Sequence, residues 1–191
     1  MELFRRYLLL LLSCLASHSS AQNNSGTALT NRYWDCCKPS CAWKGKAQFT
    51  HPVQTCDIND NPFTSYTQGT ACEGGEAYTC TNQAPWAVND TFSYGFGGVY
   101  IMKHLEDSWC CACYELTFIA GNGAPDGLVG KKMIVQGTNT GYDVTGNNKF
   151  ALAVSYTHIL PPNSGRLILS TDTRWEHQLR RSLRTRIRSV K

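Results

Sequence analysis

Short runs of apolar residues, broken every few positions by Gly, Pro, Asn or Asp, make up most of this 191-residue chain. That rhythm predicts short β segments joined by turns. The clearest are Cys113 to Ala120 and Lys132 to Gly137, both rich in β-branched or aromatic residues, the first ending at the turn signal Gly121-Asn122-Gly123. Thr91 to Met102 predicts a short helix, weakened by Gly95, Gly97 and Gly98. Gln22 to Thr30 reads as a polar leader ahead of the body. No internal repeat is present, and the pattern as a whole favours an all-β barrel or sandwich.

Both ends depart from this rhythm. Met1 to Ala21 has the layout of a secretory signal: Arg5 and Arg6, the apolar run Tyr7 to Leu15, then small residues ending Ser19-Ser20-Ala21. The run is too short to span a bilayer, so cleavage near Ala21 and an extracellular protein are expected. At the other end, RWEHQLRRSLRTRIRSVK places Trp175, Leu179, Leu183 and Ile187 every four residues among arginines. As a helix this would be a narrow apolar stripe on a cationic cylinder, suited to a membrane surface or a nucleic acid; the competing reading is a disordered basic tail.

Charge sharpens the division. Residues 22–151 hold 8 Lys/Arg against 11 Asp/Glu, whereas residues 152–191 hold 8 against 2. All the positive excess after the signal lies in the last forty residues, marking a body and a tail of different character.

Ten cysteines occur, one of them, Cys14, inside the signal. The remaining nine, at 36, 37, 41, 56, 72, 80, 110, 111 and 113, imply disulfides in a secreted chain, and the odd number leaves at least one thiol over. Zinc at Cys110-Cys111-Ala112-Cys113 is the competing reading, but adjacent cysteines lack the usual ligand spacing. No metal and no cofactor are expected.

The candidate chemistry sits in RYWDCCKPSCAW, residues 32–43, where Asp35 lies between Tyr33-Trp34 and the cluster Cys36, Cys37 and Cys41. Flat aromatic faces stack on sugar rings, and cross-linked cysteines hold a carboxylate in one direction. The alternative is a turn-capping aspartate among core aromatics.

Five motifs in one order then carry a family resemblance: RYWDCCKPSCAW, CEGGEAYTC at 72–80, PWAVND at 85–90, WCCACYELTF at 109–118 and KKMIVQGTNTGYDVTGN at 131–147. From about Arg32 to Phe150 the chain resembles the glycoside hydrolase family 45 endoglucanases. The resemblance implies a six-stranded double-psi β-barrel with disulfide-rich loops and an open groove that hydrolyses internal β-1,4 bonds of cellulose with inversion. It makes Asp35 the general base, Tyr33 and Trp43 sugar-packing residues, and Asp143 an auxiliary acid on a loop over the cleft. For Asp143 a turn aspartate between glycines is the alternative. It also implies the disulfides Cys37 to Cys72, Cys41 to Cys110 and Cys56 to Cys80, with Cys36, Cys111 and Cys113 left without their family partners.

The general acid is where the chain departs. The family's acid follows a histidine and a phenylalanine; here the triplet is Lys149-Phe150-Ala151, and alanine has no proton to give. Nothing after it matches, so the barrel is expected to be incomplete at its C-terminus. Residues 152–191 read as the product of a frame or splice change near codon 150, or as the tail of a degenerate paralogue. The resulting expectation is a secreted, monomeric endo-β-1,4-glucanase by descent, acting on cellulose or a related glucan without nucleic-acid or membrane partners. A non-catalytic, expansin-like wall-binding protein is the alternative. Asn23 and Asn89 begin sequons for glycosylation.

Overall fold

Nine strands account for the regular structure of the computed structural model, which describes residues 25–33, 35–119, 127–141, 146–153 and 183–190. They are β1 (Ser25–Tyr33), β2 (Thr55–Cys56), β3 (Tyr78–Thr79), β4 (Trp86–Asn89), β5 (Phe92–Tyr100), β6 (Cys113–Phe118), β7 (Lys132–Thr140), β8 (Lys149–Ala153) and β9 (Leu183–Val190). Among the described residues the only helical elements are 3₁₀ turns, and no helix is long and apolar enough to cross a membrane.

Six strands close into a ring in the order β5-β7-β6-β9-β1-β8, with β8 pairing back onto β5. The pairs β1–β8 and β5–β7 are parallel and the other four antiparallel. Closure leaves no edge inside the ring. β4 lies outside it, antiparallel to β5. The centre is filled by Val99, Tyr114, Leu116, Phe118, Val135, Phe150, Leu152 and Ile187, all at most 2% exposed.

The all-β barrel is as expected, and three local expectations are corrected. Thr91 to Met102 is not a helix but contains β5. Large and small residues alternate there with period two: Phe92, Tyr94 and Phe96 on one face, Ser93, Gly95 and Gly97 on the other. The glycines serve close packing of the wall, since a Cβ on Gly97 would lie 2.7 Å from the carbonyl oxygen of Ala151. The polar leader Gln22 to Thr30 supplies most of β1, whose Ala28 and Thr30 face the core.

The third correction concerns the tail. Leu183–Val190 is a strand, neither helix nor disordered, and it completes the barrel that was expected to be open. A four-residue apolar spacing is also an even spacing, so Thr185 and Ile187 turn inward while Arg186 and Arg188 face solvent. Pairing with β1 on one side and β6 on the other satisfies its backbone, which an isolated helix of this composition could not match. Outside, Glu115 bridges Lys132 at 3.2 Å and Arg188 at 3.7 Å. The boundary drawn at residue 151 thus falls inside β8 and leaves part of the basic segment in the barrel wall. Residues 154–182 lie outside the described residues, as do the signal-like segment and Asn23.

Residues 35–85 contain little regular structure and are held by disulfides. Cys37–Cys72, Cys41–Cys110 and Cys56–Cys80 close sequence separations of 35, 69 and 24 residues. They are the pairs the resemblance implies. Loops of that size, cross-linked, typically gain about 3–4 kcal/mol each through restriction of the unfolded chain. Cys41–Cys110 ties the segment after Asp35 to the barrel, and both sulfurs are buried.

Candidate active site

β1 delivers Tyr33 at its end, and the chain then leaves the barrel and reaches Asp35 two residues on. The Asp35 carboxylate turns back on its own loop, where Oδ1 accepts the backbone N–H of Cys37 at 2.9 Å. That bond fixes the carboxylate beside the Cys37–Cys72 bridge. Asp35 and the two sulfurs lie within 4.8 Å of one another, but sulfurs joined in a disulfide are not thiolate ligands, so the cluster does not form a zinc site.

Tyr33 is half-buried, near Asn139 and Thr138 at the end of β7. Burial pushes its pKa up to about 12; the negative Asp35 adds to the rise, while the polar side chains of Asn139 and Thr138 oppose it. The phenol is therefore a neutral donor throughout the physiological range. Because the folded pKa lies above the ordinary 10, the unfolded state loses its proton first, and the stability contribution present below pH 10 is lost between about pH 10 and 12. That loss is expected to be about 2 kcal/mol more in the parent than in Tyr33→Phe, measured by urea unfolding at pH 8 and pH 11.5. Equal alkaline losses would show that Tyr33 ionises as freely as an exposed phenol.

Trp43 follows the 3₁₀ turn Ser40–Ala42 and is half-buried. One face of its ring carries the Lys38 ammonium, 3.8 Å from the centroid. Lys38 is itself buried and donates to the carbonyls of Tyr66 and Gln68, each at 2.8 Å. Desolvation lowers the Lys38 pKa. Its carbonyl partners and the indole hold the cation in place and set the plane of the Trp43 ring.

A second set of contacts locks this loop to the barrel, and sequence reading assigned none of it. Asn139 Oδ1 accepts the Ser40 N–H at 2.9 Å, and Ser40 Oγ donates to Thr140 Oγ1 at 3.1 Å. Thr140 in turn donates to Glu106 at 2.6 Å, and Glu106 pairs with Lys46 at 2.9 Å. Burial raises the Glu106 pKa, but hydrogen bonds from Thr140, Lys46 and Ser40 and the Lys46 charge outweigh it and hold the carboxyl below its usual value. Asn139 and Thr140 stand in KKMIVQGTNTGYDVTGN and Lys38 in RYWDCCKPSCAW, so both motifs held the signal; only the contacts across the fold reveal the roles.

Ala151 comes to the same wall. β1 and β8 run parallel with Asn31 opposite Ala151 and Tyr33 opposite Ala153. Phe150 and Leu152 point into the core, so the pleat puts Ala151 on the outer face with Asn31 and Tyr33. Asn31 Oδ1 is buried and has no hydrogen-bond partner among the described residues. Asp143 lies outside the described residues, and so does Trp34.

The thiols of Cys36, Cys111 and Cys113 are not in disulfides. Cys36 is exposed, whereas Cys111 and Cys113 are half-buried; burial pushes both of those thiols up, with Cys113 adding to the shift of Cys111. The first two belong beside cysteines that are bonded, Cys37 and Cys110.

The chain is similar to several endoglucanases. An endoglucanase of Cryptopygus antarcticus is 48% identical over 124 residues, covering 65% of this chain and 52% of its own length. One of Phaedon cochleariae is 42% identical over 122 residues, 63% of this chain and 48% of that protein. The chain therefore spans about half the length of these relatives. The crystal structure of a cellulase from the Antarctic springtail Cryptopygus antarcticus superposes with a TM-score of 0.68 at 32% identity, covering 87% of this chain and 91% of that one. The profile of Glycosyl hydrolase family 45 matches residues 25–159, and with most of the barrel inside that match the chain belongs to this family.

Proposed function

We propose that the chain is a secreted endo-β-1,4-glucanase by descent, acting on cellulose or a related glucan as a monomer, with Asp35 as the general base of an inverting hydrolysis. The observation that carries this reading is the Asp35 carboxylate, held by the Cys37 N–H at 2.9 Å beside the half-buried Tyr33 phenol. A carboxylate fixed in this way takes a proton from water as the water oxygen attacks the anomeric carbon and the glycosidic C–O bond breaks. The departing sugar oxygen then requires a proton. A second carboxyl group, roughly 6.5–9.5 Å from the base, ordinarily supplies it, and the position that the resemblance assigns to it is Ala151. Tyr33 and Trp43 serve as sugar-packing faces, and Asp143 is kept as the auxiliary acid of the loop over the cleft. The disulfide-bonded loops and the signal-like N-terminus support an extracellular site of action.

Ala151 also favours a second reading, a wall-binding protein of the expansin type that holds glucan without cutting it. Incubation with carboxymethylcellulose separates the two. Slow release of reducing ends, with the α-anomer formed first by NMR, is expected of a weakened inverting glucanase. Retention on cellulose with no reducing ends above a no-protein control would reject hydrolysis in favour of binding.

A further inference from the structure

Trp86 stands on the outer strand β4 and is 48% exposed, an unusual state for the largest apolar side chain. It is also held in place. Its ring stacks on Tyr94 with centroids 5.3 Å apart and planes inclined by 22°, and Phe96 adds a tilted contact at 6.0 Å. Phe92 closes the row edge-on to Tyr94 at 5.0 Å. Burying an indole in the core would hide both faces; here one face is occupied by Tyr94 while the ring keeps half its surface in solvent.

Beside Trp86 and Phe96 lies a cavity of about 350 Å³, within the range of small-ligand sites. No Asp, Glu, Lys or Arg lines it. Its polar lining is His51, Asn82, Cys111, Thr138 and three glutamines whose amide nitrogens are already committed. Gln54 Nε2 donates to the carbonyls of Thr55 and Phe63, Gln83 Nε2 to the carbonyl of Gln54, and Gln136 Nε2 to the carbonyl of Cys111. Each amide is thereby oriented, and its carbonyl oxygen remains as an acceptor for an O–H donor. No carboxylate, ammonium or guanidinium group lines it to pair with a charged ligand. A neutral polyol with one flat apolar face matches it on both counts: hydroxyl donors for the amide oxygens and C–H groups for the indole.

None of Tyr33, Asp35 and Trp43 lines this cavity, and Thr138, which does, lies near Tyr33. We infer that the Trp86 cavity is a second carbohydrate-binding site, outside the Asp35 cleft, that takes one or two sugar units of an uncharged glucan strand. Its identity as a β-1,4-glucan site rests on the proposed function, but binding there does not depend on hydrolysis. Such a site holds the barrel on polysaccharide while a different part of a strand occupies the cleft, which raises the local concentration of bonds to be cut.

Affinity electrophoresis in native gels containing hydroxyethylcellulose tests it, with Asp35→Asn as the parent so that the gel is not digested. The parent is expected to be retarded, and Trp86→Ala to weaken the apparent binding about 5- to 10-fold while Trp86→Tyr restores part of it. The exposure of Trp86 makes misfolding an unneeded explanation, and an unchanged melting temperature checks this directly. In a Trp43→Ala background the effect of Trp86→Ala should persist, because the two rings serve different sites. An unretarded parent, equal mobility of Trp86→Ala and its parent, or disappearance of the Trp86 effect once Trp43 is removed would each overturn the second site. Failure of the hydrolytic reading is a separate result, read as absent reducing ends in the Asp35-containing chain.

Discussion

Ala151→Asp is expected to raise turnover on soluble β-1,4-glucan by about 10²- to 10⁴-fold, the usual worth of a positioned proton donor. The wall that would carry the new carboxyl is already complete, since β8 pairs with both β1 and β5. Gly98, opposite Ala151 on β5, contributes no side chain to the spot beside the buried Ala151 methyl group. The new group would lie on the same outer face as Asn31 and Tyr33. Burial at this position, where Ala151 is 5% exposed, disfavours the charged form and raises its pKa. A raised pKa keeps the proton available near neutral pH. Activity should then fall on the alkaline side as this acid ionises. The assay is initial-rate release of reducing ends for the two proteins side by side. A parent as fast as Ala151→Asp would mean that another residue already delivers the proton.

Asp35→Asn, made in the Ala151→Asp protein, should remove at least about 10²-fold of the restored turnover. Asparagine keeps the Oδ1 that accepts the Cys37 N–H, so the loop beside the Cys37–Cys72 bridge should stay as it is. What is lost is the negative oxygen able to take a proton from water. Thermal unfolding within a degree or two of the parent, together with a lost rate, would assign the effect to chemistry. Near-normal turnover would remove Asp35 from the role of base.

Motif order and cysteine spacing made the family legible, because side chains that must meet across a closed barrel recur at set intervals in the chain. β6 and β7 were legible for a simpler reason: β-branched and aromatic residues, alternation and flanking turns all agree there. β5 was not, because its glycines lower helix and strand propensity alike, and their purpose lies in the neighbouring strand. β1 looked like a leader since its polar residues are satisfied only when β8 and β9 pair on either side.

The sequence by itself determined the all-β class, the cluster of cysteines around Asp35, and the alanine where an acid is expected, all of which are properties of residue type and order. Only the tertiary structure decided that the arginine-rich end is a barrel strand, because apolar residues four apart satisfy a helix and a strand equally and the available partners, β1 and β6, choose between them. The tertiary structure alone also brought Lys38 beneath Trp43, joined Asn139 to Ser40 across 99 residues, and placed Ala151 opposite Asn31. Such contacts depend on where the chain returns in space, and no local pattern of residues encodes that return.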